Sequence, residues 1–388
     1  MTQAVVLRPG KDKAVRNRHH WIFSGAINRL PDFEDGSLLP VLDAKGGFLG
    51  YGYFNRRSSI VGRMLSFDET PPEMALADNI RRAIALREQM LGDATDACRL
   101  INSEGDGIPG LIVDRYGPVL VLQVSTLGIE RLKPAILDHL REGVAVETIL
   151  EKSNLPSRKE EGLAPFEGLL DGRPVESIDI REKDLHFHVR LAAAQKTGFY
   201  LDQRENRETV RSLARGRTVM NAFCYTGGFT VAALAGGARS VASFDVSAPA
   251  VELARENVAL NGLERSDNAF WTGDVFDVLR DRGLDYDLII LDPPAFAKRK
   301  TDVVAACRGY KDIHRVVFKK CRPATLVLTF SCSYFVDEKL FRQVLFQAAG
   351  EAGRRVRICG RHRPATDHPV NIFHPEGDYL KGFLLHVD

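Results

Sequence analysis

Between Thr218 and Thr230 the chain reads TVMNAFCYTGGFT: a short apolar strand, a turn bearing Gly227 and Gly228, and a second apolar segment. Later apolar runs end on acids, Asp245 in VASFDVS, Asp274 in WTGDVFD and Asp292 in LIILDPPAF. The runs TVMN, SVASFD, NAFWTGD, YDLIILD and TLVLTFS alternate with helix-period stretches such as VELARENVALNG and IHRVVFKKC. Apolar strands separated by helices of ten or more residues require a parallel sheet covered on both faces. Residues 191–388 are therefore expected to form one α/β domain. Its end differs: RRVRICGRHR and YLKGFLLHV read as a strand pair with no helix between them, so one edge strand is expected to be antiparallel.

The 388 residues exceed one ordinary domain of ~100–200 residues, so further units must precede this one. Residues 1–70 alternate in strand fashion with frequent glycine turns, as a small β-barrel does. Within them VRNRHHWIFSGAI sets Arg16, Arg18, His19 and His20 ahead of Trp21 and Phe23, the two aromatics being expected in the core. Pro71-Pro72 marks a boundary, and Thr70 is expected to cap a linker helix from Glu73 to Met90. In the rest of residues 71–190, RLINSEGDGIPGLIVDRYGPVLVLQV reads as three strands joined by two tight turns. A helix follows from Leu127 to Leu140, and strands return at AVETILEK and near LHFHVRLA, which suits a β-β-α-β-β unit with SRKEEG, Ser157 to Gly162, as a charged loop.

Composition narrows the function classes. No run reaches the ~18 apolar residues of a membrane helix, and the N-terminal stretch lacks an apolar signal-peptide centre, so a cytoplasmic location is expected. The six cysteines form no CxxC pair, which argues against a zinc site or a disulfide framework, and no metal is expected. A net charge of +2 hides basic clusters at Arg8–Arg29, Lys298–Arg322 and Arg354–Arg363, which together favour a phosphate-rich partner over three solvated faces.

The turn after TVMN selects the cofactor. A dinucleotide fold offers GxGxxG there, because a pyrophosphate must approach bare backbone at a helix N-terminus. Here Gly227-Gly228 stand beside the bulky Asn221, Phe223, Cys224 and Tyr225, which disfavours a nicotinamide oxidoreductase and suits S-adenosylmethionine, a ligand without phosphate. Asp245, with Ser247 after it, is placed to accept the ribose hydroxyls, and Asp274 to accept from the adenine amino group. A single Asp after a strand is usually a turn or helix cap, but three on consecutive strands at the ligand-binding edge point to a site. Cys224 is read as loop packing.

Two further motifs carry the substrate chemistry. Asp292-Pro293-Pro294-Ala295-Phe296 joins an acid to a rigid, donor-poor backbone and a flat ring suited to a planar base. Alone it resembles the signature of exocyclic-amine methyltransferases. Ser331-Cys332-Ser333 ends the next strand, however, and a thiolate is the nucleophile needed to activate carbon 5 of a pyrimidine. Cys332 adding to carbon 6, with Asp292 holding the ring nitrogen and amino edge of cytosine, gives a complete scheme. The alternatives are an exocyclic-amine methyltransferase in which Cys332 is structural, and a non-catalytic RNA-binding or assembly protein.

RHHWIFSGAI, EGDGIPGLIVDRYG, QKTGFYLDQRENR, NAFCYTGGFT, LDPPAFAK, SCS and HPEGDYLKG together make the chain similar, over essentially its whole length, to the bacterial large-subunit ribosomal RNA cytosine-C5 methyltransferases. The resemblance implies an N-terminal PUA domain, a small β-β-α-β-β domain and a class I, Rossmann-like methyltransferase domain. It also implies that Phe199, Asp202, Gln203 and Arg204 lie near S-adenosylmethionine, although Gln203-Arg204-Glu205 alone would read as an exposed helix start. Cys332 as nucleophile, RNA binding by the PUA domain and homodimers are further implications.

Overall fold

A computed structural model describes residues 3–192 and 197–388, so Gln195 and Lys196 of the QKTGFYLDQRENR motif lie outside the described residues. The chain forms two compact units that take alternate stretches of the sequence. The first comprises residues 1–180, 189–201 and 366–377, and the second 181–188, 202–365 and 378–388.

The first unit opens with a six-stranded sheet over the stretch read as a barrel, closed on a core of Val5, Leu7, Ile22, Val41, Phe54 and Met64. Strand Trp21–Ile22 turns only Ile22 inward, which leaves Phe23 51% exposed and Trp21 partly buried, against the expectation that both are core. The linker helix runs from Pro72 to Leu91 and starts without a side-chain cap. Pro72 opens it as a first-turn proline, and Pro71, not Thr70, stands at its N-cap position.

A five-stranded sheet follows, with three strands, Ala97–Asn102, Leu111–Tyr116 and Val119–Val124, before helix Leu127–Gly143, and two, Thr148–Ser153 and Phe166–Asp171, after it. The three strands before the helix are those expected, one more than the β-β-α-β-β pattern counts. LHFHVR lies outside it, as strand Leu185–Arg190 in a separate two-stranded sheet with Ser177–Glu182. SRKEEG is also not a plain loop: Pro156–Glu160 is a short helix, and buried Arg158 donates to the Val124 carbonyl at 2.8 Å and to Glu130 Oε2 at 2.9 Å.

The second unit is the α/β domain. Its strands are β1 (Thr218–Ala222), β2 (Ser240–Asp245), β3 (Ala269–Thr272), β4 (Leu288–Leu291), β5 (Thr325–Ser331), β6 (Val356–His362) and β7 (Lys381–Val387). Helices α1 (Arg204–Leu213), α2 (Gly228–Ala235), α3 (Ala248–Leu260), α4 (Val275–Asp281), α5 (Val303–Lys320) and α6 (Glu338–Ala352) accompany them. The order in the seven-stranded sheet is 3-2-1-4-5-7-6, and β1 to β5 run parallel. β7 is antiparallel to both β5 and β6, so the antiparallel strand lies one place in from the edge instead of at it. Strand order reverses between β1 and β4, and in open α/β sheets ligands bind at the carboxyl ends beside such a reversal. All four residues of β4 are buried, and Met220, Phe244, Leu291, Tyr310, Phe318, Phe341 and Phe383 share one core. No helix among the described residues is long and apolar enough to cross a membrane.

Candidate active site

The loop leaving β1 is held in a demanding conformation. Phe223 and Tyr225 take φ of 63° and 45°, and Gly227 takes 81°. Left-handed backbone at a non-glycine residue costs on the order of 1–3 kcal/mol and persists only where surroundings enforce it. Here the Cys224 N–H donates to the Phe244 carbonyl, the Gly227 N–H to the Cys224 carbonyl, and Asn257 Nδ2 to the Thr226 carbonyl, each at 2.9 Å. A Cβ on Gly227 would stand 2.8 Å from that of Ala254, so close packing as well as φ calls for glycine. Cys224 is buried, and burial together with the neighbouring Asp245 charge pushes its thiol well above the ordinary range.

Asp245 anchors the same loop. Its Oδ2 accepts from the Tyr225 N–H and its Oδ1 from the Ser247 N–H, both at 2.9 Å, and Ser247 in turn caps α3. A carboxylate offers about four acceptor positions. Asn221 is fully buried in β1; its Nδ2 donates to Thr230 Oγ1 at 2.9 Å, while its Oδ1 is buried without a partner. Asp274 is exposed and caps α4, accepting from the Phe276 N–H at 2.7 Å.

Asp292 follows β4. Gln203 Nε2 donates to its Oδ2 at 3.1 Å, Asn206 Nδ2 donates to Gln203 Oε1 at 2.6 Å, and His362 Nδ1 lies 3.1 Å from Asn206 Oδ1. A helix does start at Arg204 and Glu205 is exposed, but Gln203 is only 3% exposed, its amide drawn inward to Asp292. Asp202 Oδ2 accepts from Tyr379 at 2.5 Å, and its Oδ1 is buried without a partner. Arg204 Nε lies 3.7 Å from Glu182 Oε1. Phe199 belongs to the first unit, where its N–H donates to Tyr116 Oη at 3.0 Å.

β4 and β5 are paired in parallel, Leu291 beside Thr329, which brings the DPPAF and SCS segments together. Cys332 is partly exposed, with Sγ 3.9 Å from the Pro293 carbonyl. The Ala297 N–H donates to Ser333 Oγ at 3.2 Å. Buried Tyr310 binds Ser333 Oγ at 3.0 Å and accepts from Ser331 Oγ at 3.1 Å, and burial raises its phenol to about 12. Phe296 packs 4.6 Å from Tyr310 and 6.0 Å from Phe276, centroid to centroid, while Pro293 is buried and Pro294 exposed.

Sequence reasoning did not single out Lys381. This first residue of β7 is 3% exposed, and its Nζ donates to the carbonyls of Ser333 at 2.6 Å and Tyr379 at 2.8 Å. Its signal in the sequence is slight: one lysine opening the apolar run KGFLLHV.

In the first unit the RHHW motif forms a hydrogen-bonded aromatic cluster. The Trp21 N–H donates to His19 Nδ1 at 3.2 Å, so the ring proton sits on Nε2, which faces both oxygens of Glu376 at 3.3 Å. His374 lies 4.6 Å from the His19 ring and 4.5 Å from Trp21, whose Nε1 donates to Glu104 at 2.7 Å. Of the basic clusters, several members serve the fold: Arg354 Nη1 binds the carbonyls of Phe318 and Cys321 at 2.9 Å, and Arg315 pairs with Asp312 at 2.7 Å. Lys298, Arg299 and Lys300 are exposed.

Comparison with known proteins agrees with this architecture. Residues 5–67 match the family model of the PUA-like domain, and residues 164–351 that of the S-adenosylmethionine-dependent methyltransferases. The chain is 39% identical over 396 residues to the ribosomal RNA large subunit methyltransferase I of Shewanella denitrificans and 40% identical over 395 residues to that of Erwinia tasmaniensis, with 100% of each chain covered. Its fold matches that of a SAM-dependent methyltransferase from Streptococcus mutans at a TM-score of 0.84 and 23% identity, over 98% of this chain and 100% of the other. A solved methyltransferase complexed with SAH matches at 0.86 and 23% identity over the whole of both chains.

Proposed function

We propose, from the premise that this chain belongs to the ribosomal RNA large subunit methyltransferase I family, that it methylates carbon 5 of a cytosine in large-subunit ribosomal RNA, with Cys332 as covalent nucleophile. The observation that carries the cysteine chemistry is the meeting of Asp292 and Cys332 at the carboxyl ends of adjacent parallel strands, beside the reversal of strand order.

The residues present fit S-adenosylmethionine. Asn221 Oδ1 and Asp202 Oδ1 are buried acceptors without partners, such as a ligand ammonium or hydroxyl would satisfy. Asp245, steadied by Tyr225 and Ser247, retains acceptor capacity for two ribose hydroxyls. Asp274 would accept from the adenine amino group, and the loop of Phe223, Tyr225 and Gly227 would border the ligand. Gln203 and Arg204 complete this set. When bound, the cofactor supplies an electrophilic methyl group.

The chain's own residues prepare the base. Pro293, Pro294 and Phe296 form its bed, with Phe296 fixed against Tyr310 and Phe276. Cys332 Sγ adds to carbon 6 and thereby raises electron density at carbon 5, while Asp292, oriented by Gln203, shares a proton with the ring nitrogen. Once carbon 5 is methylated it loses its proton, and the electron pair left behind expels the thiolate. Unstacking a target base costs a few kcal/mol, which backbone contacts by the PUA domain and basic residues offset. The same reading makes the protein a cytoplasmic homodimer.

The test is covalent trapping. RNA bearing 5-fluorocytosine should form an adduct with the wild-type protein and none with Cys332→Ala, which should also lose methyl transfer. Undiminished methylation by Cys332→Ala would overturn the scheme in favour of an exocyclic amine held by Asp292.

A further inference from the structure

The SCS segment is backed by a lysine that none of the preceding chemistry uses. Lys381 faces Ser331 across the β5–β7 pair, and its Nζ donates to the carbonyl of Ser333, the residue after Cys332, at 2.6 Å. Tyr379 supplies a second carbonyl at 2.8 Å. An ammonium has three N–H donors, so one remains beyond these two. The side chain is 3% exposed, and among the described residues no carboxylate lies within ion-pairing distance of it. Among the charged groups that act on it, Cys332 weighs most, ahead of Asp378 and Asp337.

A buried ammonium held only by neutral carbonyls is costly. Lysine at such a position suits a site where a negative charge arises beside it. We infer that Lys381 is the positioning residue that keeps Cys332 ionised: its neutral amine takes the Sγ proton, leaving a thiolate and an ammonium held together, and the same ammonium receives the thiolate again when the product is expelled. No proton is gained or lost in that exchange, since thiol plus amine and thiolate plus ammonium carry the same number. Burial brings Lys381 from 10.5 down to about 8, so the amine form is accessible near neutrality. The inference rests on Cys332 being the nucleophile, but its test does not require RNA.

Thiolate formation can be followed by the 240 nm absorbance of the wild-type full-length protein minus that of Cys332→Ser, and by the rate of iodoacetamide alkylation of the Cys332 peptide read by mass spectrometry. The wild-type protein should show a Cys332 thiolate below pH 8. Lys381→Met should react at least tenfold more slowly at pH 7 and recover only at a pH about one unit higher or more, whereas Lys381→Arg, retaining a cation, should stay near the wild type. A lysine serving only the backbone carbonyls would leave the alkylation profile of Lys381→Met unchanged, and that result overturns the inference. Should Lys381→Met not fold, absence of a thiolate below pH 8 in the wild-type difference spectrum overturns it equally. A Cys332 that ionises early yet forms no adduct with 5-fluorocytosine RNA would instead sink the proposed nucleophile and leave the ion pair standing.

Discussion

At the scale of single residues the site is built from side chains that hold the backbone as well as facing a ligand. Asp245 shows this best, because the oxygens proposed for the ribose also accept from the Tyr225 and Ser247 N–H groups. Its carboxylate therefore fixes the loop whose Phe223 and Tyr225 adopt left-handed backbone. Replacing it removes charge-assisted hydrogen bonds worth ~1.5–3 kcal/mol each to a bound ligand. Asp245→Ala should bind S-adenosylmethionine at least about tenfold more weakly by calorimetry. Asp245→Asn, which retains an acceptor, should lose less. Equal affinity in all three proteins would remove Asp245 from the cofactor site. Asp274 differs: it is exposed and its Oδ1 is used to cap α4, so its sequence signal is also that of an ordinary helix cap.

At the scale of elements, α5 is pinned to β5 by a histidine that is completely buried. His314 lies 2.6 Å from the Tyr310 carbonyl through Nδ1 and 2.7 Å from Thr329 Oγ1 through Nε2. The carbonyl can only accept, so Nδ1 carries a proton, and the Thr329 hydroxyl can donate to an unprotonated Nε2. Burial lowers it from 6.5 to about 4. The unfolded chain then binds a proton below 6.5 that the folded chain refuses until about 4, so the stability this group contributes is present above 6.5 and is lost as pH falls through that window. The loss is on the order of 3 kcal/mol. Urea unfolding of the wild type and His314→Gln between pH 7 and pH 4 should show a steeper decline in the wild type, and parallel curves would refute the assignment. The alternation that predicts β1 to β5 and their helices is legible because apolar runs of fixed period dominate those elements. The placement of β7 between β5 and β6 is not, since YLKGFLLHV carries no mark of its neighbours in the sheet. Lys381 escaped notice for the same reason: its chemistry follows from which strand it is paired with.

At the scale of the whole molecule, the chain does not finish one unit before beginning the next. Residues 366–377 return to the first unit after most of the second has been made. Local periodicity cannot reveal such a return, because nothing in TDHPVNIFHPEG is repetitive and its partners lie far back in the sequence. The partners are nonetheless specific. Asp367 Oδ2 accepts from the Arg99 N–H at 2.8 Å, and its carbonyl accepts from Arg87 Nη2 at 2.8 Å, the same arginine that forms a buried pair with Asp106. Asn102 Nδ2 donates to the Pro369 carbonyl at 3.0 Å. Strand Ala97–Asn102, at one edge of the five-stranded sheet, thus depends on residues more than 260 positions later. Removing the Asp367 carboxylate from this buried setting should cost ~1–3 kcal/mol. Asp367→Ala should accordingly accelerate hydrogen exchange along Ala97–Asn102 while leaving β1 to β5 of the second unit protected, as expected when stability is lost locally. Uniform acceleration in both units would mean that the returning segment supports the whole chain, and unchanged exchange at Arg99 would mean that the strand is held without it.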